Sequence, residues 1–110
     1  MNRDFDVEAG QIWLVKHAEK IGNCKAVVLL VETIGGDCIV HIALIDEYGE
    51  AVVEHMPFSK ATFCNSVTEL LGKSSATYDL RSGYNYWCEE YERGAAGIFG
   101  TEISECAILD

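Results

Sequence analysis

Two adjacent glycines, Gly35-Gly36, separate two long apolar runs, Ala26 to Ile34 and Asp37 to Ile45. A two-residue hairpin turn needs positive φ angles at its central positions, and glycine adopts them at little steric cost. The pair therefore predicts a β-hairpin and sets its register, with Ile34 facing Asp37, Thr33 facing Cys38, and so on inward. One face then carries Val27, Leu29, Val31 and Thr33 against Cys38, Val40, Ile42 and Leu44, the expected core face. The other carries Val28, Leu30, Glu32 and Ile34 with Asp37, Ile39, His41 and Ala43, so that Glu32 and His41 become diagonal neighbours.

The rest of the chain is read around that hairpin. Gln11 to Val15 suits a first strand ending near Lys16, and a turn follows at Gly22-Asn23. A second reversal at Asp46-Glu47-Tyr48-Gly49 leads into Glu50 to His55, whose imperfect alternation suits an edge strand, stopped by Met56-Pro57-Phe58. Ser59 is placed to cap a helix reaching Leu71, with Phe63, Cys64, Val67, Leu70 and Leu71 on one stripe and Gly72 at its end. After a loop from Lys73 to Thr77, a second helix starts at Ser82 or Gly83 and runs to about Arg93, closed by Gly94. Along it Tyr84, Trp87, Cys88 and Tyr91 share one face. A short strand from Ile98 to Thr101 and a helical turn from Ser104 to Ile108 complete the prediction. The expected architecture is a single α+β domain over residues 1–110: a curved, mainly antiparallel sheet with two main helices packed on one side.

Composition limits what such a domain does. The 110 residues include 18 acidic and 8 basic ones, for a formal charge of −10 at neutral pH. Binding phosphate backbones requires a cationic footprint, so a general nucleic-acid binder is disfavoured, and anionic membranes likewise. The first residues lack a basic start followed by an apolar run, and no apolar stretch approaches the ~20 residues of a membrane span, so the expected location is the cytoplasm. Cys24, Cys38, Cys64, Cys88 and Cys106 are odd in number and widely spaced, which predicts reduced, packed thiols and neither disulfides nor metal knuckles.

Three histidines could carry chemistry. Glu32 beside His41 could raise the imidazole pKa and hold it as an acid or base. A half-covered histidine with one satisfied hydrogen bond is the structural reading and the one favoured, since no nucleophile is tied to His41 by spacing. His55, just before the turn, is read as bonding the turn backbone, and His17 as exposed. Zinc normally takes clustered ligands, whereas Glu54 and His55 point to opposite faces of an extended strand, so neither metal nor cofactor is expected. The acidic residues remain. Asp46, Glu47 and Glu50 around the second reversal, and Glu89, Glu90 and Glu92 on the second helix, form the expected docking face for a cationic partner. Tyr48, Tyr86 or Tyr91 supplies its aromatic contact.

The segment His55-Met56-Pro57-Phe58-Ser59, followed by Ser66-Val67, Leu70, Gly83-Tyr84-x-x-Trp87 and Gly94-x-x-Gly97-Ile98-Phe99, resembles a set of small uncharacterised bacterial proteins. In that set a strand-rich front precedes an H-x-P-F-S helix start and a G-Y-x-x-W helix. By size and acidity the chain is also similar to immunity proteins of contact-dependent growth inhibition systems, which bind and neutralise a toxin domain from their own locus. That similarity implies a non-catalytic antitoxin whose partner is a basic toxin domain, a nuclease in the leading reading. It assigns no binding residue. Two other readings stand beside it: a small hydrolase or transferase using His41 with Glu32, or His55, and a homo-oligomeric module joined along the Ala51 to His55 edge.

Overall fold

Apolar runs punctuated by tight turns become five strands in the computed structural model, which describes residues 6–73, 81–94, 97–98 and 103–106, with backbone only at 81–86 and 106. The strands are β1 (Gln11–Val15), β2 (Lys25–Ile34), β3 (Asp37–Ile45), β4 (Ala51–Ser59) and β5 (Val67–Lys73). A 3-10 turn at Ala18–Ile21 joins β1 to β2, and three helices follow: α1 (Lys60–Ser66), α2 (Arg81–Glu92) and α3 (Ile103–Cys106). All pairings are antiparallel, and the order across the sheet is β4-β3-β2-β1-β5. The fold is α+β and mostly sheet.

Gly35 and Gly36 have φ of 58° and 89°, the left-handed values that the tight β2–β3 turn demands. From there the predicted register holds through Leu30↔His41 and then slips by one residue, so that Val28 pairs with Ile42 and Ala26 with Leu44. The extra residue is Leu29, accommodated as a β-bulge, and it reverses the faces of the inner half of β2. Ala26 and Val28, rather than Val27 and Leu29, join Val40, Ile42 and Leu44 in the main core. Trp13 and Val15 from β1, Met56 and Phe58 from β4, and Phe63 and Cys64 from α1 complete that layer. Trp13 meets Phe63 edge to face, with ring centroids 6.2 Å apart.

The helix expected from Ser59 to Leu71 is half that long. Its start is as read, since Ser59 accepts a hydrogen bond from the Thr62 N–H at 3.2 Å. It ends at Ser66, after which the chain extends as β5 and pairs with β1. Helical spacing through Val67, Leu70 and Leu71 lost to the unpaired backbone groups of β1, which a neighbouring strand satisfies and a helix does not. Leu70 and Leu71 consequently lie exposed, while Val67 stays buried. Nor does Pro57 stop β4, which continues to Ser59. β4 is an edge strand, as expected, and an edge position tolerates a residue without an N–H.

The two main helices do not share a side. Alternation along β3 points His41 away from Val40 and Ile42. The aromatic residue over His41 is Trp87 of α2, with centroids 4.9 Å apart. α1 therefore covers the main core, and α2 meets the opposite face. α3 rests against α1, where the Ile103 N–H donates to Ser66 Oγ at 3.2 Å, and Lys20 joins Glu105 at 3.2 Å. Ile98 is not in a strand, and residues 99–101 of the expected last strand lie outside the described residues. So does the end of the predicted Ser104 to Ile108 turn, whose described part starts one residue earlier, at Ile103.

Candidate functional site

Two places on this frame gather the residues singled out from the sequence. On the α2 side of the sheet, three consecutive strands each contribute one polar side chain. Glu32 of β2 and His41 of β3 lie on the half of the hairpin where the predicted register holds, and Glu32 Oε1 is 3.0 Å from His41 Nε2. His55 of β4 supplies the third, its Nε2 2.8 Å from His41 Nδ1. The imidazoles stack with centroids 5.0 Å apart and planes 14° from parallel. Trp87 closes the group edge-on to both rings, tilts against Tyr91, and donates its indole N–H to the Gly97 carbonyl at 3.0 Å.

Proton positions follow from the chain of contacts. A carboxylate only accepts, so His41 donates through Nε2 to Glu32, and a neutral His41 then accepts at Nδ1 from the Nε2–H of His55. Burial dominates the electrostatics. His41 is fully buried, and desolvation holds its pKa below the ordinary histidine value even though Glu32 pulls the other way. The rise expected from the carboxylate alone is thus reversed. His55 is pushed down to about 4, first by burial and then by His41. Its partner is the second imidazole, where the sequence suggested the turn backbone; His41 pairs with Pro57, and alternation along β4 then sets His55, two residues earlier, on the same face.

At the β3–β4 turn the acidic residues divide by role. Asp46 Oδ1 accepts from the N–H groups of Tyr48 and Glu50, at 2.9 and 3.0 Å, so one of its oxygens builds the turn. Glu47 and Glu50 are exposed, and Tyr48 stands 81% exposed between them. A shallow cleft of about 290 Å³ opens beside the turn, lined among others by Ile12, Ile45, Asp46, Glu47, Leu71 and Lys25. None of the histidines lines it. Asp46 also lies near enough to the buried Cys24 to add to the upward shift that burial gives its thiol.

On α2, Glu89 and Glu92 are exposed, whereas Glu90 is half-buried and ion-paired with Arg93 at 2.8 Å, which reduces its value as an anionic contact. The Tyr86 side chain lies outside the described residues, as does that of Tyr84. His17 is exposed, as expected. Cys24, Cys38, Cys64 and Cys88 are free thiols; the first and third are buried. Among the described residues no group of three or more His, Cys, Asp or Glu side chains is placed to hold a metal ion, and no helix is long and apolar enough to cross a membrane. No family model matches the chain, and no curated protein or solved structure matches it significantly.

Proposed function

We propose that this protein is a non-catalytic, cytoplasmic binder of a basic protein domain, of the immunity type that neutralises a nuclease toxin. The observation that carries the reading is the β3–β4 turn, where a rigid backbone holds the 81% exposed Tyr48 between two exposed carboxylates. An exposed aromatic on a fixed loop loses little entropy on docking, and carboxylates around it form the charged rim that speeds encounter with a cationic surface. The charge of −10 adds long-range steering. Glu89 and Glu92, exposed on α2, are the further carboxylates assigned to the partner, with Tyr86 and Glu90 beside them in sequence.

The test pairs the purified chain with the toxin domain encoded beside its gene. Association reaches ~10⁸ M⁻¹s⁻¹ at low salt and slows steeply as salt is added. Glu47→Lys with Glu50→Lys slows it further, and Tyr48→Ala weakens binding by about 2 kcal/mol, mostly through a shorter lifetime of the complex. Rates indifferent to salt and to charge reversal overturn the electrostatic mechanism, and failure to protect cells against that domain overturns the immunity reading.

A second reading rests on the Glu32, His41 and His55 relay, whose hydrogen bonds resemble those that orient a general base. It assigns a small hydrolase or transferase. His41→Ala then abolishes turnover of a substrate found by esterase, nuclease and phosphatase screening while the fold survives. Loss of the fold in that variant places the histidine in the architecture instead.

A further inference from the structure

We infer that the stacked histidine pair is a proton-operated latch holding α2 against the sheet, and that mild acid releases α2 while the α1 side of the domain stays folded. The argument starts from a count of hydrogens. Two imidazoles have four ring nitrogens, and at 2.8 Å the facing pair, His41 Nδ1 and His55 Nε2, has room for one hydrogen between them. The stack therefore accepts one added proton by passing the bridging hydrogen to His41, whose new charge lies beside Glu32. A second added proton turns both facing nitrogens into donors. The bond is lost, and two cations stand stacked 5.0 Å apart beside the Glu32 carboxylate, which already accepts from His41.

Trp87 transmits the change. It is buried in α2 and meets both imidazoles, so its seat on the sheet is made of the rings that charge. The described groups around the pair come from every packed element: Glu32 from β2, His41 from β3, His55 from β4, and Trp87 with Tyr91 from α2. Glu90, one turn beyond Trp87, is occupied by Arg93, and Glu54 on the neighbouring position of β4 is exposed. The main core contains no histidine and lies across the sheet from the latch. The device operates whether or not the acidic surface has a partner.

Once α2 has left, the burial that depresses both rings is relieved and they rise toward the ordinary histidine value of about 6.5, from about 4 for His55 in place. For each excess proton that the released state takes up, the ratio of docked to released α2 falls about tenfold per pH unit below that value. Hydrogen exchange of the unaltered chain, corrected for intrinsic rates, reads this directly. Amides of α2 lose protection with a midpoint between pH 6.5 and 4, while those of β3 keep theirs. In a Trp13→Phe variant the remaining tryptophan, Trp87, shifts its emission to the red over the same range, which separates release from simple quenching by a charged ring. His55→Gln retains a donor toward His41 and removes one titrating group, and it weakens the pH dependence by about one proton. Simultaneous opening of α2 and β3, full protection of α2 at pH 4, or an unchanged pH dependence in His55→Gln overturns the latch.

Discussion

The two faces of the sheet are buried by different chemistry. Under α1 the contact is mainly apolar: Trp13, Val40, Ile42, Phe58, Phe63 and their neighbours interdigitate, and the buried polar groups described there, Gln11, Ser66 and Ser104, are uncharged. Under α2 the sheet offers a fully buried histidine whose two ring nitrogens are taken up by Glu32 and His55. Apolar packing is insensitive to pH and degrades gradually with lost volume, whereas a polar group that depends on two partners fails abruptly when one changes state. The first face therefore sets whether the chain folds, and the second sets under what conditions it keeps its outer helix.

The contrast can be sharpened by substitution. Phe63→Ala removes a fully buried ring from the α1 face and should cost about 3–5 kcal/mol in urea unfolding, lowering every spectroscopic signal together. His41→Ala should cost less, about 2–3 kcal/mol at neutral pH, because it combines a smaller cavity with the stranding of Glu32 and His55. If it costs as much as Phe63→Ala and unfolds the whole chain, the two faces are not separable.

Acid is the next smaller lever. A histidine whose folded pKa lies below its unfolded one binds protons preferentially in the unfolded state, so stability is full above pH 6.5 and declines as the pH falls toward 4. By pH 5 the loss from His55 should be on the order of 1–2 kcal/mol, and denaturation curves of His55→Gln should show it reduced. Least of all, Ser59→Ala removes the α1 cap and should cost about 1 kcal/mol, equally at pH 5 and pH 7. A cap penalty that changed with pH would mean that the α1 side also senses the histidines.

How much of this was legible in the residues follows from what each depends on. The hairpin, its turn and the Glu32–His41 contact rest on local turn chemistry and on a period of two, and the structure keeps them. The α2 helix rests on a clear helical stripe, and Arg81–Glu92 lies within one or two residues of its expected bounds. What escaped depends on distant partners. The bulge at Leu29 responds to packing across the sheet, and β5 exists because β1 lacked a second neighbour. His55 reaches His41 because β4 runs on through Pro57, which pairs with His41 and leaves His55 on the same face. The direction of the His41 pKa escapes for a related reason: the carboxylate beside it is visible in the sequence, and the depth at which the imidazole is buried is not. At the acidic turn, charge and exposure could be anticipated for Glu47, Tyr48 and Glu50, but the backbone bonds that commit Asp46 to the turn could not.

The placement of β1 between β2 and β5 has a kinetic side. The β2, β3 and β4 meander closes through short turns, so it can assemble as soon as those residues leave the ribosome. β1 is synthesised earlier, yet its outer neighbour begins only at Val67. Closing that long loop carries an entropic cost that the meander avoids. The first strand made is thus the last to gain both flanks, and a slow folding phase should report on its capture.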